Sequence, residues 1–240
     1  CTLRAYNIGV KACCLTCREY APASLQNATW SVGVTTAPRT LPTLPETIQN
    51  VQDAGWQPVV YAEPESQSVD VPTVRRSEKL GAWKNWLRTA EQLASSDTSH
   101  VLIMQDDVLL CREARGIVES EIDDPSVGCC TLYTSAKYHR EVSGPHDIES
   151  HNFWGACALA FRTSVLRQVL ASKIVREWAG DAGIDNAVGK SLASLGLRIR
   201  GWSPSLAQHI GSTSSLWSTK DATGNRAAKE WRGNLVPKLA

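Results

Sequence analysis

Apolar positions along the first half of this chain recur at two different periods, and the alternation between those periods predicts its elements. Ser31-Val32-Gly33-Val34-Thr35-Thr36 is β-branched and short, as a strand is. Thr43-Leu44-Pro45-Glu46 then opens a helix with Pro in its first turn, which runs through Thr47 to Ala54 and stops at Gly55. Gln57-Pro58-Val59-Val60-Tyr61 reads as a second strand. After a polar, Pro-containing loop, Ser77 to Leu93 carries Leu80, Trp83, Leu87 and Leu93 on a helical pattern. Val101-Leu102-Ile103-Met104 is a continuous apolar run, the pattern of a strand buried on both faces. Strand, helix, strand, helix, strand in this order predicts an α/β fold with a mostly parallel central sheet flanked by helices and joined by right-handed crossovers.

The second half is less regular. Val127 to Tyr133 and Phe153 to Phe161 read as strands, separated by a long polar loop from Thr134 to His151. Thr163 to Ala171 and Ile184 to Leu195 read as helices, the second closed by Gly196. Leu197-Arg198-Ile199-Arg200 and Ser205-Leu206-Ala207-Gln208 are expected to be the last strands. Three regions follow: a Cys-rich extension over residues 1–29, a main domain over 30–218, and a polar C-terminal tail over 219–240.

With 240 residues, 42% hydrophobic content and a net charge of +1, the chain can bury a sizeable core and carries no polyanion-binding excess of charge. A nucleic-acid acceptor is neither supported nor excluded by that balance. No apolar run approaches the roughly 20 residues of a membrane span, and no signal-peptide pattern opens the chain, so a soluble, cytoplasmic protein is expected. Of eight cysteines, Cys1, Cys13, Cys14 and Cys17 crowd the first seventeen residues. The Cys14-Leu-Thr-Cys17 spacing suits two thiolates on one structural Zn²⁺, while disulfide pairing or free loop thiols fit the same pattern. Cys111, Cys129, Cys130 and Cys157 sit in apolar surroundings, where Cys behaves as a small hydrophobe.

The chemistry concentrates where the Val101–Met104 strand ends in Gln105-Asp106-Asp107. Open α/β sheets bind ligands at the carboxyl ends of their strands. A short acidic pair there suits Mg²⁺ or Mn²⁺, hard cations that take one or two carboxylates and complete their shell with water and phosphate oxygens. The same dipeptide could equally open the following loop or cap a helix in the Leu109 to Glu119 region.

Five segments in order, Val32-Gly33-Val34-Thr35-Thr36 with Arg39, Gln105-Asp106-Asp107, Trp154-Gly155-Ala156-Cys157-Ala158-Leu159-Ala160-Phe161, Asp185-Asn186 with Gly189, and Gln208-His209-Ile210-Gly211, resemble the GT-A class of nucleotide-sugar glycosyltransferases. Their spacing is closest to enzymes such as the branching N-acetylglucosaminyltransferases, over about residues 30 to 218. The resemblance implies a GT-A-like, Rossmann-like fold and transfer of a sugar from a nucleoside diphosphate sugar, foremost a UDP-sugar, to an unidentified hydroxyl acceptor with inversion. It also implies Asp107 and His209 as ligands of Mn²⁺ or Mg²⁺, with Asp106 sharing the role because Gln105 replaces the first carboxylate of the usual Asp-x-Asp motif.

Asp185 is the expected general base and Asp181 the runner-up, although Asp before a helix is also a common N-cap. Thr35, Thr36 and Arg39 are expected at the nucleotide or its diphosphate, and Glu63 at the base or ribose. Asn85, with Lys84 and Arg88, is placed on the helix that could face the same pocket. Trp154 and Gly155 are expected to wall the sugar, a core aromatic being the plainer reading of Trp154. The Thr134–His151 segment is expected to act as an acceptor-binding loop or lid. A nucleotidyltransferase would want a Gly-rich basic loop after the first strand, which Thr35 to Thr40 lacks. The rival of another class is a non-catalytic module with a degenerate transferase fold that binds a sugar nucleotide or glycan.

Overall fold

A computed structural model describes residues 28–179, 183–211 and 226–234. The first half follows its apolar pattern, except that β3 forms within the expected loop and the helix expected from Ser77 starts at Gly81. Strand β1 (Trp30–Thr36) leads to helix α1 (Leu44–Asp53), strand β2 (Pro58–Ala62), the short strand β3 (Thr73–Arg75), helix α2 (Gly81–Ala94) and strand β4 (His100–Gln105). Strands β1, β2 and β4 pair in parallel with β1 central, Thr35 lying opposite both Tyr61 and Gln105. The carboxyl ends of three strands therefore meet at one edge.

Beyond β4 the chain forms β5 (Val108–Leu110), α3 (Ala114–Glu119), β6 (Val127–Thr131), β7 (Gly144–Ile148), β8 (Ala158–Arg162), α4 (Thr163–Ala171), α5 (Lys173–Arg176), α6 (Ile184–Ser194), β9 (Arg198–Ser203) and β10 (Ala207–His209). Eight strands make one sheet in the order β3-β2-β1-β4-β8-β6-β9-β7, and β10 pairs with β5 in a separate two-stranded ribbon. Four of the pairings in the large sheet are parallel and three, all involving β8 or β7, are antiparallel.

Both faces of the sheet are covered, which is why β4 reads as unbroken apolar sequence. Leu102 and Met104 face a core with α1 and α3, whereas Val101 and Ile103 face one with α2, α4 and α6. Three expectations are corrected here. The Thr134–His151 segment is not one loop, because Gly144–Ile148 forms the edge strand of the sheet against β9. The strand expected over Phe153–Phe161 starts only at Ala158, leaving Trp154 and Gly155 in the preceding turn. Part of the expected tail also belongs to the domain: the backbones of Glu230 and Arg232 bond to Ser205, and Ala228 is buried in the core.

Cys1, Cys13, Cys14 and Cys17 lie outside the described residues, as does Asp181. Cys111, Cys129, Cys130 and Cys157 are free thiols, and burial pushes the Cys111 thiol up to about 11. Among the described residues, no helix is long and apolar enough to cross a membrane.

Candidate functional site

The site is built at the carboxyl edge of β1 and β4. Thr36 ends β1, and its hydroxyl donates to Asp106 Oδ2 at 2.5 Å. Thr35 donates to the Met104 carbonyl at 3.3 Å and stays within the sheet. Two further threonines, which the sequence reading does not single out, fix the turn after β4: Thr43 and Thr47 both donate to the Asp106 carbonyl, at 2.7 and 2.8 Å. They stand four residues apart at the start of α1, one helical turn on a shared face, and that spacing is the signal that could have found them.

Arg39 joins the two acidic side chains. Its Nε donates to both Asp106 oxygens at 2.9 and 3.1 Å, and its Nη2 lies 2.6 Å from Asp106 Oδ1 and 2.8 Å from Asp107 Oδ2. Both carboxylates are buried, but their environments separate them. Burial pushes Asp106 up, and Arg39 and Thr36 only partly offset it, so its pKa lies above the ordinary carboxyl value. Burial acts on Asp107 in the same direction, but His209 and the charges of Arg39 and Arg226 outweigh it and hold that carboxyl below the ordinary value.

His209 reaches this edge through the β5–β10 ribbon, in which it lies opposite Val108. The Ile210 backbone N–H donates to the Asp107 carbonyl at 2.8 Å and closes the ribbon. His209 Nε2 faces Asp107 Oδ2 at 3.1 Å without the alignment of a hydrogen bond, and Asp107 Oδ1 is buried with no hydrogen-bond partner among the described residues. A buried carboxylate oxygen without a donor calls for a partner, and water or a cation would supply one. Gly211 completes the cradle, since a Cβ there would fall 2.4 Å from Asp107 Oδ2 and 3.0 Å from His209 Cε1.

Among the described residues, no group of three or more His, Cys, Asp or Glu could hold a metal by itself. The Asp107–His209 pair, with its unpartnered oxygen, fits a hard divalent cation whose remaining positions are filled by water and phosphate oxygens. A cleft of about 180 Å³ lies on the Arg39 and Asp106 side of this cluster, lined in part by Thr36, Arg39, Thr43, Glu65, Gln67 and Asp106, while Asp107 and His209 stay buried behind its wall. Glu65 in its wall has φ 64°, a left-handed conformation uncommon outside glycine.

A second group lies at the turn before β8. Asp185, in the first turn of α6, accepts the Gly155 N–H at 3.3 Å through Oδ2 and the Asn186 N–H at 3.0 Å through Oδ1. Burial raises its pKa above the ordinary carboxyl value despite those hydrogen bonds. Gly155 has φ 112°, and the Tyr133 ring stands 3.0 Å from where its Cβ would be, so both conformation and space favour glycine. Trp154 is 57% exposed, which removes the core reading of that aromatic. The Gln105 N–H bonds to the Cys157 carbonyl at 2.9 Å, tying the acidic turn to the chain that leads from this group into β8.

Other candidates stand apart from these groups. Glu63 is buried, and its Oε1 accepts the Leu80 and Gly81 N–H groups at 3.0 and 2.6 Å, capping α2. Asn85 is buried between the Tyr61 carbonyl and Arg76. Lys84 and Arg88 are exposed, with Arg88 paired to Glu91. Arg226, which the sequence reading left in the tail, contributes its positive charge to Asp107, and its carbonyl accepts from the Tyr133 hydroxyl.

No protein-family model matches the chain, and no curated protein is significantly similar to it. The class defined by the structure is an α/β protein with a mostly parallel, helix-flanked sheet of eight strands.

Proposed function

We propose that this chain is a glycosyltransferase of the GT-A type, which moves a sugar from a nucleoside diphosphate sugar, foremost a UDP-sugar, to a hydroxyl acceptor with inversion. The observation that carries this reading is the Asp107–His209 pair. Two residues far apart in sequence meet at the carboxyl edge of the sheet, and one buried carboxylate oxygen of the pair has no hydrogen-bond partner among the described residues. That is the donor set a metal–diphosphate needs. Asp107 and His209 would hold Mn²⁺ or Mg²⁺, which when bound supplies Lewis-acid neutralisation of charge on the departing diphosphate.

The chain's own residues do the rest. Arg39 supplies a planar guanidinium beside the cleft, suited to bidentate contact with phosphate oxygens. Thr36, Thr43 and Thr47 hold the Asp106 turn rigid, so that Asp107 is positioned before the donor arrives. Asp185 is the general base. Desolvation keeps its carboxylate a stronger base than an exposed aspartate, and the Gly155 N–H aims it at the turn where Trp154 offers an exposed ring to a sugar.

The test is release of free nucleoside diphosphate from a panel of UDP-, GDP- and TDP-sugars in Mn²⁺ with mixed glycoside acceptors. Turnover of one donor identifies the nucleotide and supports the transferase reading. A donor that is bound but not consumed, or a panel in which no donor is bound while a glycan is, moves the non-catalytic module ahead.

A further inference from the structure

Arg39 occupies the place of a counter-ion to the acidic turn. Its guanidinium is 11% exposed, and through Nη2 it touches Asp106 Oδ1 and Asp107 Oδ2 at once, at 2.6 and 2.8 Å. Asp106 and Asp107 are each 2% exposed. Two carboxylates so deeply desolvated repel each other, and one planar cation that spans both is an efficient way to hold them charged. The oxygen of Asp107 that Arg39 contacts is the one that faces His209 Nε2. A dication seated between Asp107 and His209 would therefore meet the guanidinium as a like charge a few ångströms away.

We propose that Arg39 is a placeholder for the divalent cation, which keeps the metal site closed to free metal and opens it to metal and diphosphate together. The inference rests on the glycosyltransferase reading. A nucleoside diphosphate brings negative charge into the cleft that Arg39 lines, and gives the guanidinium a bidentate partner in exchange for Asp107. The repulsion that opposes the dication then becomes an attraction to the same ligand. Metal and diphosphate bind cooperatively, each raising the affinity of the other by the same factor, and Arg39 is the residue that couples them. Lys would fill this role less well, because its ammonium can bridge two carboxylates but does not fork onto a diphosphate.

The experiment is titration with Mn²⁺ alone, followed by electron paramagnetic resonance of the free ion, on wild type and Arg39→Met, then repeated with UDP after correction for the Mn²⁺ that UDP itself binds. With Mn²⁺ alone, Arg39→Met should bind about tenfold tighter or more, because the dication no longer meets a like charge in a low dielectric. The gain in Mn²⁺ affinity on adding UDP should be large in wild type and much smaller in Arg39→Met. Mn²⁺ should also raise the Tm of Arg39→Met more than that of wild type, since the ion restores a missing positive charge. If Arg39→Met does not fold, the comparison of Asp106→Asn with Asp106→Asn/Arg39→Met reads the same tenfold effect, and the double variant keeps the wild-type net charge of the cluster. Equal or weaker Mn²⁺ binding without the guanidinium overturns the inference and leaves the transferase reading standing. Absence of Mn²⁺ binding in every variant, with and without UDP, overturns both.

Discussion

Gly155 donates its backbone N–H to the Asp185 carboxylate at 3.3 Å, which ties the turn before β8 to the first turn of α6. Asp185 is thereby held by main-chain donors from two elements, and burial raises its pKa. Such a carboxylate stays basic.

That arrangement predicts a pH profile. Burial raises the Asp185 pKa above the ordinary value of 3.8, so the basic form is present above the raised value and is lost as pH falls through it. The acidic limb of kcat/KM should therefore lie above pH 3.8. Asp185→Asn should abolish that limb and lower kcat by roughly 10² to 10⁴, the usual contribution of a general base. An Asp185→Asn enzyme with the wild-type rate and profile would remove Asp185 from the chemistry.

Glu63 should behave as a structural residue. Its carboxylate accepts two N–H groups at the start of α2, where a negative charge is favoured by the unpaired donors and the helix dipole. Glu63→Ala should cost about 1 to 2 kcal/mol in urea unfolding, as loss of a helix N-cap does. A variant that keeps full stability but loses nucleotide affinity would restore the base-contact role expected from sequence.

The difference between these two acidic residues also marks what the sequence made legible. The parallel core of β1, β2 and β4 was readable because β1 is rich in β-branched residues and β2 and β4 are apolar runs, and α4 because its apolar spacing is clean. Strands β3 and β7 were not. Thr73–Arg75 is largely exposed, and Gly144–Ile148 buries only Ile148, so both are held by backbone pairing at the sheet edges rather than by apolar burial. The first turn of α2 has no Ser, Thr, Asp or Asn to announce it, because the cap comes from Glu63 on another element.

In the candidate site, Asp107 and His209 could be paired only through resemblance. Their contact depends on the β5–β10 ribbon, two three-residue strands whose partnership leaves no local signal. The bridge that Arg39 makes between Asp106 and Asp107 is likewise a tertiary fact, as is the charge that Arg226 brings from the far end of the domain.

Gly211 gives a separate handle on the proposed metal pair, Asp107 and His209. A Cβ at this position would lie 2.4 Å from Asp107 Oδ2, so Gly211→Ala must displace the carboxylate, the imidazole or the turn. Mn²⁺ affinity measured with UDP present should fall by about 10- to 100-fold, the range typical of damage to the groups that orient metal ligands. Unchanged affinity would show that the Asp107–His209 geometry does not matter to the ion.

Trp154 should act on the acceptor alone. Because the ring is 57% exposed, Trp154→Ala should change stability by no more than about 0.5 kcal/mol, as surface substitutions usually do. The KM for a glycoside acceptor should rise about tenfold, the loss of one stacking contact, while donor hydrolysis by water keeps its rate. Trp154→Phe should recover part of that loss. Equal effects on hydrolysis and transfer would place the ring at the donor instead.

The most direct test of a metal-dependent transferase is the rate of UDP release from a UDP-sugar, with acceptor, in wild type, Asp107→Ala and His209→Ala, with Mn²⁺ and after chelation. Wild-type turnover should disappear on chelation and return with Mn²⁺, and that Mn²⁺-dependent rate should be lost in both variants while each remains folded. Mn²⁺-dependent turnover that survives in Asp107→Ala and His209→Ala would contradict Asp107 and His209 as the metal site.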